Sequence, residues 1–336
     1  MYEELKEHVE CGANFLIAPT YLFDSFEDKV SAQKKTEAVL EKGAFVSNGV
    51  MPLKDGLIYS GGSLSFDDYY DEIKKEISYL YKNAPGASLF LLDFCTLSEA
   101  KCAVYAAKEV MDLPICVLLN FKGKSTLEDG FDAQSAVITL QSLGISALGI
   151  MAEDCDAVLD ILLDMKEFAS VPLFAMPDTN SSFKPHEFAQ YASDYVGNKC
   201  VMFGAGRGTT PAHTAQIAKE LYFLSPFMPD FPTVNAVCGK SGICFLDFEN
   251  RPIGKNRKMI EIDLNSLTDI DEADMVIEKL IEAGTPPVLF NCDEIDVIER
   301  VVKLYPGRAA VKSDEYGEIT AKEYGALVLS SAKAEN

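Results

Sequence analysis

Residues 201–221 read VMFGAGRGTTPAHTAQIAKEL, and their types and spacing suit the capture of an anion. Gly204, Gly206 and Gly208 permit positive φ in a tight turn, Thr210 offers a helix N-cap, and Pro211 suits the first helical position. The run before them, Val201, Met202 and Phe203, reads as a buried strand, so a strand leads directly into a helix N-terminus. Unpaired amides there, the positive end of the helix dipole and the Arg207 guanidinium would favour a carboxylate or phosphate. Gly204, Gly206, Arg207, Gly208 and Thr209 are therefore candidate ligand-binding residues. The alternative is a plain strand-to-helix turn with a solvated arginine, because the spacing matches neither a P-loop nor a dinucleotide fingerprint. Asp93, which ends the apolar run SLFLLD, is the second candidate. It could serve as an acid, a base or a ligand contact, or as a structural acceptor for a neighbouring loop.

Metal chemistry has few donors to draw on. Nine cysteines are scattered without a CxxC pair, and the histidines are His8, His186 and His213 alone. An odd cysteine count cannot close wholly into internal disulfides, so reduced and mostly buried thiols are expected, with Cys116, Cys200 and Cys244 packing in strand-like runs. Cys155, in MAEDCDAV, is the exception to this packing reading. No bound metal is expected from this inventory, because zinc needs three or four converging ligands.

The net charge of −22, from 30 basic and 52 acidic residues, would repel the phosphate backbone and anionic membrane surfaces, so nucleic acid and membrane are excluded as expected partners. No apolar run approaches the roughly 20 residues that span a bilayer, and MYEELKEHVE reads as a charged amphipathic helix rather than a signal peptide. A cytoplasmic protein is the expectation.

The elements that must position these residues repeat along the chain. Apolar runs at residues 14–18, 44–49, 88–93, 115–120, 146–151, 171–176 and 200–204 alternate with helical patterns at 66–82, 97–111, 132–143, 156–168, 186–195 and 211–224. Such alternation argues for an α/β fold with a parallel sheet, and seven repeats suggest a barrel one strand short of eight.

The stretch GAGRGTTPAH resembles the GG-CC-GTTP-x-H motif of homocysteine S-methyltransferases, including the homocysteine domain of cobalamin-dependent methionine synthase. GANFLIAPTYLF, SNGVMP, PICVLLNFKGKSTLEDGFD, LGISALGIMAEDCD and FKPHEFAQYASDYV resemble further family segments in order. The resemblance implies a TIM-type (β/α) barrel over residues 1–228 that lacks the family's first strand and the substrate-binding aspartate carried there. It also implies that the positions of the family's three zinc-ligand cysteines are held by Ala152, Gly206 and Arg207, and that Asp93 and Phe94 stand where the family has Glu-Thr. Beyond a proline-bearing linker, residues 229–336 resemble part of a pterin-binding domain, with Tyr305, Pro306, Gly307 and Arg308 the most specific match. Gly254, Lys255, Asn256 and Arg257 replace that domain's opening motif, and Asn291 replaces its strand aspartate. A small α/β lobe is expected, with strands near 258–264, 287–291, 308–313 and 325–330 and helices at 271–283 and 294–304.

Zinc coordination is what converts a thiol of ordinary pKa near 8.5 into a thiolate at neutral pH. Without the three ligands, the expected function is that of a homocysteine S-methyltransferase-like protein of methionine and one-carbon metabolism acting as a binding or regulatory relative. Zinc, methylfolate and a cobalamin linkage are not expected as cofactors. A corrinoid or methionine-synthesis protein, a small anion and a second copy of the chain are the expected partners. An enzyme with zinc-independent chemistry, using Asp93 beside an anion site at Arg207, is the alternative. The open seam left by the missing strand is expected to be filled by residues 325–330 or by a second subunit, because bare parallel edges invite aggregation.

Overall fold

The computed structural model describes residues 2–40, 44–122, 125–178, 183–204, 208–225, 234–247, 249–253, 258–267 and 269–329. The chain divides into two units, one of Met1–Asp129 with Ile145–Phe231 and one of Gly130–Gly144 with Pro232–Asn336.

In the first unit each of the seven apolar runs is a strand. They are β1 (Phe15–Ile17), β2 (Phe45–Val50), β3 (Leu89–Phe94), β4 (Ile115–Asn120), β5 (Ala147–Met151), β6 (Leu173–Ala175) and β7 (Cys200–Phe203). They pair in chain order, all parallel, as one sheet of the TIM type. Helix α1 (Tyr2–Glu10) precedes the sheet, and α2 (Phe26–Glu37), α3 (Phe66–Asn83), α4 (Leu97–Val110), α5 (Ala133–Gln141), α6 (Cys155–Lys166), α7 (Pro185–Gly197) and α8 (Pro211–Leu221) each follow a strand. Short polar side chains start these helices. Ser25, Ser65, Thr96, Asp132 and Asp154 each accept a bond from an amide in the first turn, which satisfies one of the donors a helix start leaves unpaired. Helix α2 is absent from the sequence reading because FEDKVSAQKKTE offers only a faint apolar stripe; its burial rests on Val30, Ala32, Gln33 and Thr36.

One face of the sheet turns inward and is filled by Leu91, Cys116, Leu118, Met151, Phe174 and Met176, with Ile17, Leu89, Ala147 and Met202 packed against them. Register explains the fit. Leu118, Gly149, Phe174 and Met202 lie side by side on four strands, and a Cβ on Gly149 would stand 2.1 Å from the Phe174 ring. Glycine at that position admits the phenylalanine, which fills the interior where a side chain from either strand would otherwise compete.

Among the described residues the sheet does not close. Among the described residues β1 and β7 each pair along one edge only. The expectation that residues 325–330 fill the seam is corrected: their strand, β14 (Leu327–Val328), pairs with a strand of the second unit. What closes over the seam is the helical layer. His8 Nδ1 lies 2.7 Å from Thr214 Oγ1, joining α1 to α8, and the positive-φ Gly12 brings the chain against Ala218. Helix α1 thus packs against both α8 and α2.

The second unit holds a four-stranded parallel sheet of β11 (Ile260–Asp263), β12 (Val288–Asn291), β13 (Ala310–Lys312) and β14, linked by α9 (Ile270–Glu282), α10 (Ile295–Leu304) and α11 (Glu315–Glu323). An antiparallel hairpin of β8 (Ala236–Gly239) and β9 (Gly242–Leu246), with β10 (Pro252–Ile253) beside it, is an addition to the four strands expected from sequence. Val237, Cys244 and Leu246 of the hairpin pack on Leu289, Ala310 and Leu329. The hairpin therefore buries the sheet face that the three helices leave uncovered, which lets half a barrel's worth of strands stand with one hydrophobic core.

Candidate functional site

The first unit's strands all deliver their C-terminal ends to one face, the place where barrels of this type build sites. Asp93 is the last but one residue of β3, and Asn120 ends β4. Asn120 Nδ2 donates to Asp93 Oδ1 at 2.5 Å. The amide therefore orients the carboxylate and occupies one of its oxygens. The sequence reading missed Asn120, although it ends an apolar run as Asp93 does.

Next to Asn120 in register stands Met151. Beyond it come Met176, whose amide bonds to the Ile150 carbonyl at 2.9 Å, and Gly204, whose amide bonds to the Ala175 carbonyl at 2.8 Å. A Cβ on Gly204 would stand 2.9 Å from Met176 Cγ, so the methionine leans into the space the glycine leaves. The mouth thus passes from a hydrogen-bonded Asp93–Asn120 pair to two thioether side chains, each only 9% exposed. Methionine is the residue that adapts most readily to such a gap.

Ala152, which follows Met151, is 4% exposed and presents a methyl group where the family resemblance places a zinc cysteine. Cys155 does not compensate. It opens α6, is fully buried, and its carbonyl accepts from Tyr195 Oη at 2.8 Å; burial pushes its thiol pKa up to about 12. Among the described residues no group of three His, Cys, Asp or Glu side chains is arranged to hold a metal ion. The thiol that does stand at this face is Cys95, just past β3. Burial and then the charges of Glu128 and Asp93 raise its pKa to about 11, so it is a thiol rather than a thiolate at neutral pH.

The acid-rich character extends behind Cys95. Thr96 caps α4, Glu99 accepts from the Leu57 amide at 2.9 Å and from Thr96 Oγ1 at 2.8 Å, and Asp129 Oδ2 accepts from the amides of Leu97 at 2.9 Å and Ser98 at 3.1 Å. Burial raises the pKa of both carboxyls, against the hydrogen bonds that lower it. The N-terminus of α4 is thereby already supplied with acceptors and is no vacancy for an outside anion. Lys122 forms an ion pair with Glu128, which holds its ammonium's pKa up.

Of the glycine-rich turn, Gly204, Gly208 and Thr209 are described, while Gly206 and Arg207 lie outside the described residues, as do Gly254, Lys255, Asn256 and Arg257. Gly208 has φ +85°, a conformation that glycine adopts without strain. Thr210 is the N-cap of α8 and Pro211 its first residue. His213 accepts from the Thr210 amide at its Nδ1 (3.1 Å), and its Nε2 lies 2.9 Å from the Phe183 carbonyl. An acceptor at Nδ1 and a donor at Nε2 describe one neutral tautomer. His213 therefore fixes the start of α8 against the chain entering α7, a structural role, and is 5% exposed.

In the second unit Tyr305 Oη donates to the Pro286 carbonyl at 2.7 Å. Arg308 Nη1 donates to the Val234 carbonyl at 2.9 Å and its Nε to the Gly325 carbonyl at 3.3 Å. Tyr305 and Arg308 are thus occupied in bracing the chain's own backbone. Asn291 ends β12 near Asp263, Asn265 and Asp293, which are hydrogen-bonded to one another, so this strand-end face is acidic too.

Comparison with known proteins agrees with this fold. The homocysteine S-methyltransferase family profile matches residues 6–221. Among solved structures, the homocysteine methyltransferase MmuM from Escherichia coli is similar in its apo form, at 17% identity and a TM-score of 0.53 over 65% of this chain and 84% of that one. Its metallated form gives 18% identity and a TM-score of 0.55 over 65% and 83%. At such identities the likeness is one of fold. No curated protein sequence matches the chain. No helix among the described residues is long and apolar enough to cross a membrane. The profile match spans all seven barrel strands and their helices, and the chain belongs to the homocysteine S-methyltransferase family.

Proposed function

We propose that this protein is a homocysteine S-methyltransferase-like member of methionine and one-carbon metabolism that acts as a binding or regulatory relative, without zinc-activated methyl transfer. The observation that carries the reading is Ala152. A buried methyl group stands at the end of β5, with Met151 and Met176 beside it, where the resemblance calls for a thiolate ligand. Gly206 and Arg207, at the other two ligand positions, also lack a thiolate. Zinc does not fit the donors present, because Ala152 and Gly206 offer no ligand atom and the Arg207 guanidinium is a cation. Partners consistent with the reading are a corrinoid or methionine-synthesis protein and a small ligand at the barrel mouth. The test is methionine formation from homocysteine with sulfonium, methylfolate and methyl-corrinoid donors in the presence of zinc. The reading expects no product above the uncatalysed rate, and catalytic turnover would reject it.

A second reading is favoured by the Asp93–Asn120 hydrogen bond, because an oriented carboxylate at a strand end is a usable acid or base. On that reading the protein is an enzyme of altered, zinc-independent chemistry with an anion held near Arg207. Loss of ligand binding in Arg207→Ala and of turnover alone in Asp93→Asn would distinguish it from the first.

A further inference from the structure

Helix α5 is the crossover between β4 and β5 of the barrel, yet by its contacts it belongs to the second unit, as part of Gly130–Gly144. Its nine residues include a run, 135–140, that is buried without interruption, and Ala133 is buried as well. A helix covered all round needs partners on every side. The partner on its polar side is β8. Ser135 and Thr139, four residues apart and hence on one helix face, are both about 1% exposed. Thr139 Oγ1 lies 3.2 Å from Cys238 Sγ, Ser135 Oγ donates to the Gly239 carbonyl at 3.5 Å, and Cys238 Sγ donates to the Ser135 carbonyl at 3.5 Å. At the end of the helix, Leu143 and Ser142 lie against Gly325, whose φ is +83°.

The strand that meets α5 is itself held from behind. Cys238 and Arg308 exchange both backbone hydrogen bonds at 3.0 Å. A Cβ on Gly307 would stand 2.1 Å from the Cys238 carbonyl, and one on Gly239 would stand 2.0 Å from the Thr285 carbonyl, so neither position admits a side chain. Tyr305 Oη also reaches the Cys238 carbonyl at 3.3 Å. The segment Tyr305, Pro306, Gly307 and Arg308 therefore builds a seat for β8, and β8 presents Cys238 and Gly239 to α5.

We infer that residues 232–336 form an intramolecular clasp whose binding partner is the Ser135–Thr139 face of α5, so that the barrel's own β4–β5 crossover is held by β8. The two stretches of chain remain bound to each other when the backbone between α8 and β8 is cut. The barrel portion alone does not hold α5 in place.

The test uses the full chain with a protease recognition sequence inserted after Phe231. After cleavage the two pieces are expected to co-elute at the intact size in native buffer and to part only in denaturant. Separation in native buffer overturns the inference. The second measurement is hydrogen exchange on the 1–231 piece, isolated in denaturant and returned to native buffer. Protection of the α5 amides is expected to fall roughly tenfold or more against the nicked complex, whether α5 opens alone or the piece fails to fold. A refolded 1–231 piece with α5 protected as in the complex overturns the inference as well.

Discussion

Replacing Gly149 by alanine probes how the barrel interior is filled. The added Cβ would stand 2.1 and 2.2 Å from the Phe174 Cε2 and Cζ atoms and 2.7 Å from its Cδ2. Ordinary contact needs about 3.5 Å or more, so the ring must move by well over 1 Å in an interior packed like a crystal. Phe174 is 1% exposed and is enclosed by Leu118, Met151 and Met176, which leaves no space for that movement. Overpacking of this kind costs about 1–3 kcal/mol. Phe174→Leu alone leaves a void and costs a comparable amount, on the order of 1–3 kcal/mol. A leucine lacks the two nearest ring atoms, however, so the double variant relieves the clash and fills the void together. The expected interaction energy is favourable by about 1–2 kcal/mol, against near-additivity for sites that do not touch. Urea denaturation of the four proteins, followed by near-ultraviolet circular dichroism, measures it. Additive single and double changes, or a Gly149→Ala protein as stable as the parent, would refute the packing account.

Two pH-dependent outcomes follow, one from the half-buried His8 and one from the buried Glu99. Burial lowers the His8 pKa below its ordinary value of 6.5, with opposing charges at Glu4 and Glu7. The unfolded chain then binds more protons just below that value, so stability is full above pH 6.5 and declines as pH falls toward the folded pKa. His8→Gln, measured by Tm between pH 5 and 8, should flatten this slope; superimposable slopes would show that the α1–α8 contact does not titrate. Glu99 behaves in the opposite sense. Its folded pKa is raised above 4.5 by burial, so the folded state binds the extra proton and stability falls as pH rises past that point. Glu99→Gln keeps an acceptor for the Leu57 amide and removes the charge, and should gain stability over the parent at pH 7 more than at pH 4. A larger gain at the acid end would contradict the assignment.

The strands were legible because each is a short β-branched or aliphatic run bounded by turn residues, and burial on both faces leaves such runs nearly unbroken in sequence. The hairpin of β8 and β9 was not, since Gly239, Lys240, Ser241 and Gly242 separate two runs too short and too rich in glycine to stand out. What makes them strands is tertiary: the Arg308 backbone on one side and the Leu289–Ala310 face on the other. Asp93 could be placed at a strand end from sequence, but its pairing with Asn120 depends on the register between β3 and β4, which no local pattern carries. The seam misled for a related reason. Seven strands could be counted, but the His8–Thr214 contact that joins α1 to α8 links residues 206 apart.

The central proposal is that the chain lacks the family's thiolate triad, and among the described residues no other group of His, Cys, Asp or Glu is arranged to replace it. Zinc content settles it most directly, measured on the purified protein after incubation with excess zinc and exhaustive dialysis. The account predicts far less than one zinc per chain, since Ala152 offers no donor and Cys155, the first residue of α6, is fully buried. One tightly held zinc per chain would contradict it.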